Sequence, residues 1–318
     1  MRADAVFEGG GVKGIGLVGA VVAAEERGYE WVNVAGTSAG AIVASLVAAG
    51  YSGMELCRIL DGLDYRRFRD TFWPFIGPAL TFIFTQGLYL GDYFEHWLRR
   101  LLAARGVYTF ADLVIPEFKD DLRYRYRLRV IASDISRGRM LVLPQDAADY
   151  GVDPDALDVT TAVRMSMSIP FFYRPVRFGG SVMVDGGLLS NFPVWLFDTP
   201  GAPEWPTFGF RLVEPGAERP AKIEGPVSLL KALVSTMLEA HDARHVSQEH
   251  FIRTIPVPTL GVRTTDFDLS KTASRRLFDS GYNAGRKFLD AWDFGRYVEH
   301  YRSGPLPGPP ARRGPTGR

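Results

Sequence analysis

Ala5-Val6-Phe7-Glu8-Gly9-Gly10-Gly11-Val12-Lys13-Gly14 and then Trp31-Val32-Asn33-Val34-Ala35-Gly36-Thr37-Ser38-Ala39-Gly40 decide how this chain folds. Each is a short apolar run of strand length that ends in a glycine-bounded turn, and each turn opens onto a helical stretch. Gly14 to Gly28 reads as a helix with Leu17, Val18, Val21 and Val22 on one side and Gly28 as its C-cap. Ala39 to Ala49 is a second helix of small and branched residues that Gly50 stops, and Ser52 caps a third through about Leu60. Strand, glycine turn, helix, strand, serine turn, helix is the pattern of parallel strands joined by helical crossovers. The expected fold is therefore α/β: three layers, with a mostly parallel central sheet and helices on both faces.

Working outward, Asp92 to Ala104 is the clearest helix within residues 62–120, and Arg123 to Ile131 alternates Arg with Tyr, Leu and Val as a strand does. In that reading the series Arg123, Arg125, Arg127 and Arg129 is the strand's polar face. Met140 to Leu143 is expected to pair with it as a short hairpin. Thr160 to Ser168 is a helix ended by Pro170. Val182-Met183-Val184 is a strand that runs into Asp185, and Thr207 to Val213 is another. Pro226 to about Gln248 is a long amphipathic helix, and Ser270 caps a last one to about Trp292. From Ser303 the tail is Gly, Pro and Arg without apolar period, so residues 303–318 are expected to be disordered.

Composition narrows the function. Hydrophobic residues are 46% and charged residues 23% of 318, ordinary values for a globular protein. Lys plus Arg is 37 against 36 for Asp plus Glu, and the net charge of +1 argues against a nucleic-acid partner. A single cysteine, Cys57, cannot form an intramolecular disulfide, which fits a reducing compartment. Asp4 and Glu8 interrupt any apolar leader at the N-terminus. The expected location is cytoplasmic, with peripheral contact at a membrane surface as a further expectation. Oligomeric state has no signal in the sequence.

The turns carry the chemistry. A serine hydroxyl is a poor nucleophile unless it is exposed on a strained turn beside a base. Gly36-Thr37-Ser38-Ala39-Gly40 between strand and helix supplies that geometry, although Ser38 as a plain helix N-cap is an open alternative. Gly9-x-Gly11-x-x-Gly14 offers the N–H groups of Gly10 and Gly11 as an oxyanion hole, with Lys13 and the helix N-terminus adding positive potential. The same spacing matches a dinucleotide fingerprint, but that reading needs an acid at the end of the second strand, where Val34-Ala35-Gly36 stands. In a parallel sheet the two turns lie roughly 5 Å apart, one strand spacing. Asp185-Gly186 is either a hairpin turn or the base. His241, His245 and His250 follow it among charged residues, where a solvated helix end is their expected home. His96 and His300 have no supporting neighbours. No metal site and no cofactor are expected.

Gly9-Gly10-Gly11-Val12-Lys13-Gly14, Gly36-Thr37-Ser38-Ala39-Gly40 and Asp185-Gly186-Gly187 resemble the three signature blocks of the patatin-like phospholipase family. Ala162 to Phe171 resembles the block before the aspartate, and Asp185 onward through Asn191-Phe192-Pro193 matches too. The resemblance covers about residues 4–212 and implies one patatin-like domain over 1–302. It implies a lipid acyl hydrolase with a Ser–Asp dyad and no histidine: Ser38 the nucleophile, Asp185 the base, and the amides of Gly10 and Gly11 the oxyanion hole. Gly9, Gly14, Gly36, Gly40, Gly186 and Gly187 support these turns. The family often has Arg where Lys13 stands, and lysine keeps the charge without the bidentate fork.

An aspartate near its free pKa of about 4 is a weak base, so Asp185 is expected to be partly desolvated. The substrate class is a lipid ester, phospholipid or lysophospholipid. An acyltransferase or general carboxylesterase on the same dyad, or a nucleotide-binding module on the Gly9–Gly14 turn, are the alternatives. Residues 72–90, rich in aromatics, are either core beneath a loop or a flap over the lipid pocket that touches a bilayer.

Overall fold

In chain order the protein, seen in a computed structural model, forms β1 (Arg2–Phe7), α1 (Gly14–Glu26), β2 (Glu30–Thr37), α2 (Ala39–Ala48), α3 (Gly53–Asp61) and β3 (Gly87–Tyr89). There follow α4 (Asp92–Ala103), β4 (Leu128–Asp134), β5 (Arg139–Leu143), α5 (Val159–Ser166), β6 (Phe171–Tyr173), β7 (Val176–Phe178) and β8 (Ser181–Asp185). The last elements are β9 (Thr207–Val213), β10 (Thr254–Pro258), α6 (Lys271–Ala291) and α7 (Phe294–Tyr301). The structure describes residues 1–71, 82, 85–214, 223–225, 232–233, 236, 251–264 and 266–302. Most of the 72–90 stretch, nearly all of the helix expected from Pro226 to Gln248 with His241, His245 and His250, and the tail 303–318 lie outside the described residues.

The main sheet runs β10-β9-β1-β2-β4-β8-β7, with β5 also on β4. The five strands from β10 to β4 are parallel, whereas β5, β7 and β8 are antiparallel to their neighbours. This is a mixed sheet with a parallel majority, in the three-layer α/β arrangement.

The register decides where the site lies. β4 meets β5 along Val130–Asp134, so β5 occupies one of its two edges. The other edge is shared: β2 pairs with Leu128–Ile131, ending at Thr37 opposite Ile131, and β8 pairs with Ala132–Asp134, ending at Asp185 opposite Ala132. β2 rises and β8 descends along this edge until they meet end to end. Their last paired residues face consecutive β4 positions, about 3.3 Å apart along the strand.

Side chains alternate across the sheet. Ala5, Phe7, Val34, Val130 and Ala132 face the larger core, packed by α1, α2, α3, α4, α5 and α6. Val6, Ala35, Ile131 and Val142 face a smaller core closed by Phe192, Val194, Leu196 and Phe197. Those four come from the segment after Asp185, which includes the 3-10 helices Gly186–Leu188 and Val194–Phe197.

Several expectations need correction. α1 does not bury one side only, since Gly14 through Ala24 are all buried. It is caught between the sheet and α6, and the crossing is lined by glycines: a Cβ on Gly281 would stand 1.8 Å from the Gly16 carbonyl oxygen. Gly281→Ala is therefore expected to cost about 2–3 kcal/mol by overpacking two backbones. Gly28→Ala, at φ +80 with nothing within 4 Å, should cost only about 1 kcal/mol. Urea denaturation of both variants checks the contrast.

The strand expected at Arg123 begins at Leu128 instead, after turns over residues 122–125. Arg129 is not on a polar face. It is buried, it donates to the Leu196 carbonyl at 2.9 Å, and it stacks on Phe197. β5 forms the expected hairpin partner of β4. No helix among the described residues is long and apolar enough to cross a membrane.

Candidate active site

Ser38 stands where β2 turns into α2, with φ 53 and ψ −124, a conformation that costs an L-residue strain. The flanking glycines exist for close approach. A Cβ on Gly36 would lie 2.3 Å from the Gly40 carbonyl carbon, and one on Gly40 would lie 2.2 Å from the Phe7 carbonyl oxygen. The elbow is thus pressed onto the end of β1. Ser38 holds the N-cap position of α2, but its side chain makes no capping hydrogen bond, so the N-cap alternative fails on geometry.

Asp185 ends β8 and is completely buried, while Ser38 is 6% exposed. The following Gly186 rides directly over β4, where its Cβ would meet the Ile131 carbonyl oxygen at 2.3 Å. Asp185-Gly186 is not a hairpin turn; it leads into the 3-10 helix Gly186–Leu188. The Asp185 Oδ1 accepts the Gly187 N–H at 2.8 Å. Its Oδ2 accepts no hydrogen bond of ordinary geometry from the described residues. The Ser38 hydroxyl nevertheless faces the carboxyl closely enough to favour its ionised form. The contact is looser than a formed hydrogen bond, as is common before substrate binds.

Burial pushes the Asp185 pKa up to about 7, and the nearby Ser38 hydroxyl and the Gly187 N–H oppose this only in part. The carboxyl is fully enclosed, further from water than the partial desolvation expected from the sequence.

The glycine turn lies on the neighbouring strand, with Phe7 opposite Gly36. Gly9 donates its N–H to the Asn191 carbonyl at 3.2 Å, and Asn191 Nδ2 donates back to the Gly9 carbonyl at 3.3 Å. A Cβ on Gly9 would come 3.1 Å from Ser38 Cβ, so the turn and the elbow touch. Among the described residues the N–H groups of Gly10 and Gly11 have no acceptor, whereas Val12 and Lys13 donate to Thr264 and Gly10 carbonyls. Gly11 takes φ +57 against Thr264, and Gly10 packs under Leu212. The Lys13 stem passes beside Gly10, and Gly14 begins α1. The arrangement brings together a hydroxyl, a buried carboxyl and two free amide donors, the components of acyl transfer.

His96 and His300 sit at exposed helix positions, each bonded to a carbonyl one turn back. Sequence reasoning missed the bracing groups. Ser166 Oγ accepts the Ser38 N–H at 2.9 Å, Thr37 Oγ1 donates to the Ser190 carbonyl at 3.0 Å, and Ser133 Oγ donates to the Gly186 carbonyl at 3.3 Å. Nothing in their spacing could have announced them, since each contact spans a long stretch of chain. Ser166 and Asn191 carried a signal only as members of the resembling blocks before and after Asp185.

A strained serine elbow, a buried aspartate on the adjoining strand end and a glycine turn at the next strand come together at the strand ends of a mixed α/β sheet. Residues 5–198 match the patatin-like phospholipase family, and the chain belongs to that family. It is 40% identical over 303 residues to the uncharacterized protein YqhO of Bacillus subtilis, covering 92% of this chain and 100% of YqhO. It is 27% identical over 190 residues to the lysophospholipase NTE1 of Meyerozyma guilliermondii, covering 59% of this chain but 11% of that much longer protein. The crystal structure of VipD from Legionella pneumophila superposes with a TM-score of 0.61 at 17% identity, over 91% of this chain and 67% of VipD, and so shares the fold.

Proposed function

We propose that this protein is a lipid acyl hydrolase that releases fatty acid from phospholipid or lysophospholipid esters through Ser38 and Asp185. One observation carries the reading: Ser38, on a strained elbow, faces a buried carboxyl whose second oxygen is unengaged and whose pKa is about 7. A base poised near neutrality is what proton transfer at neutral pH requires. The family membership and the relation to a lysophospholipase support the substrate class.

The sequence of events follows from the groups present. Asp185 Oδ2 takes the proton as Ser38 Oγ attacks the ester carbonyl. The oxygen that gains the charge receives the N–H groups of Gly10 and Gly11, with Lys13 and the start of α1 adding positive potential. Collapse breaks the ester bond, and the departing alcohol takes its proton from Asp185. A water, deprotonated by the same carboxylate, then attacks the acyl-serine, and Ser38 leaves with that proton as fatty acid is freed.

The test is product analysis with a lysophospholipid and a phospholipid, with and without an added alcohol. Free fatty acid in both conditions supports the hydrolase; acyl product only on the alcohol would make it a transferase, and no product from either lipid would sink the reading. The rate should follow ionisation of Asp185. With a pKa of about 7, kcat/KM should rise about tenfold from pH 6 to pH 8 and then level off. A flat profile over that range would remove Asp185 as the base.

A further inference from the structure

The elbow has a support of its own. The β2 ladder along β4 stops at Thr37, and the next place on that edge belongs to Asp185. The Ser38 amide, buried with its residue, is therefore left without a sheet partner. A buried amide with no acceptor costs about 1–3 kcal/mol. The Ser166 hydroxyl, itself fully buried at the end of α5, supplies the acceptor at 2.9 Å.

The same turn grips the other half of the dyad. Two residues past Ser166, the Ser168 carbonyl accepts the Asp185 N–H at 2.9 Å. The turn is locked in its own right. Arg164, 3% exposed, donates to Ser168 Oγ and to the carbonyls of Leu90 and Arg174, and Ser168 Oγ donates to the Arg164 carbonyl at 2.6 Å. Asp158 fixes the other end of α5 by accepting the Thr161 N–H at 2.7 Å. One rigid turn thus holds the backbones of Ser38 and Asp185 by their amides.

We infer that Ser166 is a positioning residue that keeps the Ser38 elbow at positive φ, with its Oγ aimed at Asp185; this rests on Ser38 being the nucleophile. The bond is made to the N–H that rotates with the strained φ, so it opposes relaxation of that torsion. Without it the elbow can turn toward the ordinary negative range, and Oγ swings off the carboxyl. A misplacement of about 1 Å in a reacting group costs on the order of a hundredfold.

The experiment compares wild type, Ser166→Ala and Ser45→Ala, all shown to be folded by circular dichroism at the assay temperature. Ser45 is a buried serine of α2 whose hydroxyl, among the described residues, bonds only the Ile42 carbonyl one turn back, so it controls for loss of a buried hydroxyl near the elbow. The readouts are the rate constant for labelling of Ser38 by a fluorophosphonate probe, kcat and KM for a lysophospholipid, and the pH profile of kcat. Ser166→Ala should label about 10- to 100-fold more slowly, with kcat lowered alike, KM unchanged and the inflection of the pH profile unmoved. Ser45→Ala should label at the wild-type rate. Wild-type labelling in Ser166→Ala, an equal fall in Ser45→Ala, or a shifted inflection, which would assign the loss to Asp185, overturns the proposal. A wild type that the probe does not label at Ser38 overturns the nucleophile reading and this proposal with it.

Discussion

Ser38→Ala should lose nearly all fatty-acid release, by a factor on the order of 10⁴–10⁶ in kcat, while the protein stays folded. The reaction proposed here has no substitute for the Oγ that bonds to the acyl group. What remains is binding and the glycine-turn donors acting on a water, which sustain only a residual rate. The fold should tolerate the change. The Ser38 side chain does not cap α2, and alanine at φ 53 bears the strain that serine already bears. The bond from Ser166 is made to the backbone N–H, which alanine keeps. The expected stability change is therefore small, within about 1 kcal/mol. Mass spectrometry after fluorophosphonate treatment gives an independent readout: adduct on Ser38 in wild type and none in the variant. A variant that still turned over lipid at a comparable rate would remove Ser38 from the chemistry.

The parallel half of the fold was readable because its code is local. β1, β2 and β9 are apolar runs of strand length, and glycine turns mark where α1 and α2 begin. Ser52 and Ser270 cap α3 and α6 through their own third-residue amides. Where local code and tertiary role diverge, the reading failed. The alternating arginines from Arg123 to Arg129 imitate a strand, yet only Arg129 lies in β4, and it is buried because the Leu196 carbonyl and the Phe197 ring receive it. Pro256 and Pro258 argue against a strand, yet both lie in β10. They are tolerated because β10 is the terminal strand of the sheet, where an outward N–H is not needed. α1 gave no sign of all-round burial, since a glycine that lets α6 approach looks the same in sequence as one that merely weakens a helix.

The site divided in the same way. The serine elbow and the glycine turn are each a short motif that can be recognised alone. That Asp185 lands beside Ser38 is a property of pairing: β8 must run antiparallel along the edge of β4 that β2 has vacated. Resemblance to a family could suggest it, and only register explains it. Ser166 was legible only as a member of the stretch Ala162 to Phe171 that resembles a family block; nothing in Ser166-Met167-Ser168 tells which of its two serines braces the elbow.

Asp185→Asn should abolish turnover and at the same time make the protein more stable above neutral pH. The loss of activity follows from the removal of the base; asparagine cannot take the Ser38 proton. The gain follows from burial. In the unfolded chain an aspartate titrates near ~4, whereas in the native protein burial raises Asp185 to about 7. Below about pH 4 both states hold the proton and the carboxyl contributes nothing to the difference. Between the two values the unfolded chain ionises while the native group resists, so the native state loses stability as pH rises. Above about 7 the cost is complete, on the order of 4 kcal/mol for a gap of that size. Asparagine has no charge to bury, and its side-chain oxygen can still accept the Gly187 N–H that Oδ1 receives in the wild type. The variant should therefore match wild type near pH 4 and exceed it by a few kcal/mol at pH 8, the exchange of stability for function expected at an active site. Asp4 is also raised to about 7 by burial and depresses wild-type stability over the same window. It is present in both proteins, so the difference between their urea midpoints isolates Asp185. A constant difference from pH 4 to pH 8 would mean that this carboxyl is not held at a raised pKa, and with it would go the reason that an aspartate without histidine can act as a base at neutral pH.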